Sequence, residues 1–139
     1  MNPILRNVLA VLAGALVGGA VNMGLVTVGP EIIPLPEGLD PNDMATFEAN
    51  GHLMETRHFL FPFLGHALGT LAGAFLAAKS GATNQMMLAL ISGTFFLAGG
   101  IAAANMIPAP TWFIVTDLAL AYIPMAWLGW NLAGSPTNT

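Results

Sequence analysis

Arg57-His58-Phe59-Leu60-Phe61-Pro62-Phe63-Leu64-Gly65-His66-Ala67-Leu68-Gly69-Thr70-Leu71-Ala72-Gly73-Ala74-Phe75 is the stretch whose reading decides the fold. It opens on a cation and an imidazole, turns strongly apolar, and carries a second imidazole, His66, well inside. Gly65, Gly69 and Gly73 recur every four residues, which sets all three on one helical face. A face of that kind lets a second helix approach backbone to backbone. No Asp, Glu, Lys or Arg falls between Arg57 and Lys79, and about 20 apolar residues cross a bilayer. We read the stretch as the second of four membrane spans.

Composition agrees. The chain has 139 residues, of which 55% are hydrophobic and 7% charged, against about 25% charged in an ordinary soluble domain. Three basic and seven acidic side chains could not cover a soluble surface of this size. The length allows one domain, 1–139. Cysteine is absent, which excludes disulfides, thiolate metal sites and cysteine nucleophiles. A net charge of −4 argues against nucleic acid, which selects basic clusters.

Working outward, the expected spans are about 4–28, 58–78, 85–107 and 111–132, giving an all-α membrane protein. The first run exceeds the apolar core of a signal peptide, about 7–15 residues, so a retained helix is the reading. Pro62 falls in the first turn or so of the second span, where proline is tolerated. Pro108 and Pro110 end the third, and Pro124 kinks or strains the fourth. Short turns make spans two, three and four antiparallel neighbours in an up-down bundle. Residues 134–139 form a short polar tail.

The outer loop, 29–57, is different in kind. Pro30, Pro34, Pro36 and Pro41 break any long helix there, and Glu31, Glu37, Asp40, Asp43, Glu48 and Glu55 make it acidic. Asn42–Asn50 can form a short surface helix capped by Asn42 or Asp43, with Met44 and Phe47 on one side. Arg6 and Lys79 fall at one end of the bundle, and Arg57 with the six loop acids at the other. Basic residues mark the cytoplasm, so the expectation is a multi-pass membrane protein with both termini inside and the acidic loop outside. No internal repeat is visible, which argues against an inverted-repeat transporter in one chain.

Gly14 and Gly18 on the first span add a small-xxx-small step to the one formed by Gly65, Gly69 and Gly73. These faces fit a compact bundle or a homo-oligomer. Near them lies a polar cluster. Counting from the helix ends at 1.5 Å per residue, Asn22, His66 and Asp117 all fall about 9–10 Å below the outer surface, with Asn105 shallower. An intramembrane carboxylate costs at least about 2.5–3.5 kcal/mol at mid-membrane, so Asp117 needs a partner or a proton. His66 is the expected partner. Such a pair can exchange a proton near neutral pH, or it can simply pin two helices together.

A second cluster lies at the outer mouth: Glu48, His52, Glu55, Arg57 and His58. Glu55 and His58 have the i, i+3 spacing that lets both reach one metal, with His52 nearby. Arg57 between them would repel a cation, so interfacial side chains are the plainer reading and no cofactor or metal is expected. Gly73–Ser80 imitates a phosphate-binding loop but closes a helix instead of opening one. No serine triad, paired catalytic carboxylates or nucleotide fingerprint is present.

The run His58-Phe59-Leu60-Phe61-Pro62-Phe63-Leu64-Gly65-His66-Ala67-Leu68-Gly69-Thr70, following Pro36-Glu37-Gly38 and Asp40-Pro41, resembles a family of small four-span bacterial inner-membrane proteins to which no activity is assigned. The resemblance covers the loop and second span. It implies a bacterial inner membrane and a role for His66. Three functions fit these observations, in this order. The first is a non-catalytic subunit that oligomerises or docks on a larger membrane complex. The second is a proton- or ion-sensitive channel or transporter subunit using His66 and Asp117. The third is a membrane-embedded enzyme acting on a lipid or quinone.

Overall fold

The computed structural model describes residues 1–134; the remainder of the polar tail, from residue 135, lies outside the described residues. The fold is all-helical, with no strand among the described residues. Four helical segments, Pro3–Ile32, Thr56–Ser80, Gln85–Met106 and Thr111–Ala133, are long and apolar enough to cross a membrane. They make a four-helix bundle, as in a small multi-pass membrane protein.

The first segment is helix α1 (Pro3–Ile32), opened by Asn2, whose side chain accepts the Ile4 N–H at 2.8 Å. It does not stop near Val28 as expected but runs through Pro30. Pro30 lies in the last turn, so its missing N–H costs a single bond. The Ile33 N–H closes that turn on the Gly29 carbonyl at 2.8 Å. In the loop, helix α2 (Met44–Asn50) starts on Asp43, whose side chain accepts the Ala45 N–H at 3.1 Å. A 3-10 turn at Thr56–Phe59 leads into helix α3 (Leu60–Ser80), and helix α4 (Gln85–Met106) follows a tight turn.

The fourth span is broken, not merely kinked: helix α5 (Thr111–Leu120) ends and helix α6 (Ile123–Ala133) begins across Ala121–Tyr122. Pro124 explains the position of the break. Its ring nitrogen has no hydrogen for the Leu120 carbonyl four residues back, and the ring crowds that carbonyl. Proline is at home in the first turn of α6.

Helix α3 is the axis. It packs on α1 along one side and on α4 and α6 along others. The α1–α3 seam is antiparallel, with Gly14 against Gly73, Gly18 against Gly69 and Asn22 against Gly65. A Cβ on Gly69 would lie 2.8 Å from the Gly18 oxygen, and one on Gly73 2.7 Å from the Gly14 oxygen. Opposite, Gly129 of α6 comes against the α3 backbone at Leu71 and Phe75. The buried apolar core is mostly alanine, including Ala74, Ala77, Ala78, Ala89 and Ala126, while leucines such as Leu16 and Leu132 point outward. That is the reverse of a soluble protein, and it suits a solvent as apolar as leucine itself.

Arg6 and Lys79 lie at the same end. The Arg6 Nε donates to the Ser80 carbonyl at 2.8 Å, and the Lys79 Nζ donates to the Ala133 carbonyl at 3.2 Å. Asn7 seals this end by accepting the Ala82 N–H at 2.8 Å and donating to the Thr83 Oγ1 at 2.9 Å.

Candidate functional site

Asp117 is the one buried residue of α5. Its carboxylate accepts from the His66 Nδ1 of α3, which stands 2.9 Å from both oxygens. It also accepts from the Tyr122 hydroxyl, which stands 3.0 Å from Oδ2. The Tyr122 and His66 rings lie face to face, 5.8 Å apart and inclined by 29°. Below His66, the Thr70 Oγ1 donates to the His66 carbonyl at 2.8 Å. The result is a chain of three groups, imidazole, carboxylate and phenol, joining α3, α5 and the break before α6. Charge-assisted bonds of this kind are stronger than neutral ones, and in lipid no water competes for them.

Tyr122 escaped the sequence reading. It is the only tyrosine in the chain, and it stands two residues before Pro124. Had the proline break been placed at Leu120, the residue at the break would have been an obvious source of a hydroxyl. Tyr122 is 2% exposed, and it fits because Gly100 of α4 offers no side chain where the phenol lies.

The other polar residues divide. Asn22 sits at the level of His66 but on the α1–α3 seam, against Gly65 and Gly69. Its Oδ1 is buried and has no partner among the described residues. Asn105 does not join the cluster: it is exposed, and its Nδ2 donates to the Ile101 carbonyl one turn back at 2.8 Å. Depth along the axis fixed its level but not its rotation. One residue beyond Ala104, it has turned about 100° away from the bundle.

At the loop end of the bundle, the i, i+3 geometry expected of Glu55 and His58 does not form. Glu55 is extended and caps the 3-10 turn. Its side chain turns outward to Arg57, with Nε 3.3 Å from Oε2. His58 turns inward. Its Nδ1 accepts the Glu55 N–H at 2.8 Å, and its Nε2 lies 3.2 Å from the Pro34 carbonyl, to which it donates. Both ring nitrogens are thus engaged by backbone. The imidazole clasps the two ends of the acidic loop. His52 is exposed, and no three of His, Asp and Glu converge among the described residues.

Between loop and bundle lies a cavity of about 240 Å³ with almost wholly apolar walls. Its sides come from the loop-side halves of α1, α3, α4 and α5. Loop residues Leu35, Met44, Phe47 and Met54 also line it, and so do His66 and Asp117. Leu35, Phe47 and Met54 of the acidic loop are thus partly buried against the cavity while its carboxylates are exposed. No known protein family, characterised protein or solved structure matches the chain.

Proposed function

We propose that this small membrane protein is a non-catalytic subunit of the bacterial inner membrane that binds an apolar small molecule beneath its acidic loop. The observation that carries the reading is the apolar cavity lined by two well-anchored imidazoles, His58 held at both ring nitrogens and His66 at Nδ1 only. Pockets that are mostly apolar with one or two placed polar groups are the usual form of a small-molecule site. Both termini are taken as cytoplasmic, supported by Arg6 and Lys79 sharing the end opposite Arg57. Assembly as a homo-oligomer or with a larger membrane complex is part of the same proposal, as is kinship with the small four-span family that the second span resembles.

Native mass spectrometry of the protein released from its own membranes tests the binding. The expected result is a small-molecule adduct on the wild type that is missing from Ala103→Leu, a variant that fills the cavity. A wild type with no adduct refutes the reading. A second reading, a proton- or ion-sensitive transport subunit, draws on the His66–Asp117–Tyr122 chain. It requires a pH-dependent flux in liposomes that Asp117→Asn abolishes, and a flux at background removes it.

A further inference from the structure

The floor of the cavity narrows the chemistry of what can bind there, on the premise that the cavity is a binding site. His66 has its Nδ1 committed to the Asp117 carboxylate. A proton on Nδ1 leaves Nε2 of the neutral ring with a bare lone pair, which accepts and does not donate. No partner meets Nε2 among the described residues, and Nε2 is not among their sealed, unpaired polar atoms. His66 itself lines the cavity. The other titratable groups there are already engaged: His58 holds its loop ends, and Asp117 holds its two donors. With the ring neutral, Nε2 is thus the one side-chain acceptor lining the pocket that is not already engaged among the described residues.

Charge removes a further class. No lysine or arginine lines the cavity, while Asp117 lies in it and the loop above carries Glu37, Asp40, Asp43, Glu48 and Glu55 against Arg57. A carboxylate or phosphate entering from that side meets like charge and finds no cation. Size and shape point the same way. An engineered cavity of about 150 Å³ takes up benzene, so about 240 Å³ holds one substituted ring. Phe59, Phe61 and Phe113 supply aromatic walls, and Ala103 and Ala104 leave room beside α4.

We infer that the cavity binds an uncharged aromatic ring bearing a hydroxyl group, a phenol or quinol head on an apolar tail, with the hydroxyl donating to His66 Nε2. Four probes of one shape test this on the protein in nanodiscs, each corrected against empty discs: 4-heptylphenol, heptylbenzene, 4-heptylbenzaldehyde and 4-heptylbenzoate. The expected result is saturable one-to-one binding of the phenol, tighter than any other probe by about fivefold, the value of one ordinary hydrogen bond of about 1 kcal/mol. The imidazole ¹⁵N resonance of His66 Nε2 should shift with the phenol and not with heptylbenzene. In His66→Leu the phenol should fall to the hydrocarbon's affinity; the probe series on the wild type stands even where that variant does not fold. If phenol and heptylbenzene bind equally well and Ala103→Leu loses both, the hydroxyl assignment falls while the apolar site survives. Tighter binding of 4-heptylbenzaldehyde, which can only accept, or of the benzoate likewise overturns it. Failure of every probe to bind above empty discs removes the site altogether.

Discussion

The α1–α3 seam allows a stability prediction whose magnitude follows from measured gaps. Replacing Gly73 by alanine would set a methyl 2.7 Å from the Gly14 oxygen and 2.9 Å from the Phe96 ring. Carbon and carbonyl oxygen rest no closer than about 3.3 Å, so the seam must open by roughly 0.6 Å. A gap of about 0.5–1 Å forfeits a quarter to a half of each dispersion contact it touches. Overpacking of this kind costs about 1–3 kcal/mol. Alanine also favours the helix over glycine by about 1 kcal/mol, which masks part of that cost. Gly19→Ala supplies the control, because nothing lies within 4 Å of its Cβ position. The propensity gain is common to both variants and cancels in their difference, leaving about 1–3 kcal/mol for the overlap alone. Reversible unfolding in mixed dodecyl sulfate and mild-detergent micelles, followed by circular dichroism, measures it. Should the two variants unfold at the same denaturant fraction, the seam is not packed backbone to backbone and this account of the bundle is wrong.

Three further outcomes are expected. Asp117→Asn turns one acceptor oxygen into a donor facing the His66 N–H or the Tyr122 hydroxyl; it should lose about 2 kcal/mol and Tyr122→Phe about 1 kcal/mol. The same titration measures both, and the double variant should lose less than the sum because the two share one bond. His58→Phe removes both bonds that clasp the loop, so amide exchange over residues 34–57 should quicken by at least tenfold while α3 stays protected; an unchanged loop would show that the clasp does not hold it. Because the chain has no cysteine, single cysteines at Ala49 and Thr83 report topology cleanly. A membrane-impermeant maleimide on intact cells should label the first and spare the second, and the opposite pattern would invert the proposed orientation.

What the sequence made legible follows from what each signal measures. Apolar length located all four spans, because a bilayer demands it whatever the packing. The level of His66, Asp117 and Asn22 could be counted from helix ends, since rise per residue is fixed. Rotation about the axis was harder, and it separates Asn105 and Asn22 from the chain that the structure forms. Two prolines behaved differently for a positional reason. Pro30 comes in the last turn of α1, with little helix left to lose, whereas Pro124 falls inside an apolar run and splits it. The cavity was not legible, since it needs Leu35, Met44, Phe47 and Met54 to fold back over α3 and α4, and no local pattern in an acidic loop announces that. His58 was read as an interfacial side chain, with a metal ligand as the lesser reading, because a side chain's reach says nothing of the carbonyl waiting 24 residues upstream at Pro34.

The break at Ala121–Tyr122 has a mechanical consequence. Unlike α1, which runs on for 30 residues, α5 is a ten-residue rod, about 15 Å long. It is the most lightly packed of the membrane helices and is tied down chiefly through the single carboxylate it buries. A tilt of about 10° about that joint swings its far end, at Thr111 and Trp112, through about 2.6 Å, a displacement set by the rod's length. The lower half of the span, wedged by Gly129 against α3, need not move at all. Were α5 to tilt in this way, it would act as a lever that widens the mouth of the pocket while the foundations of the bundle stay put.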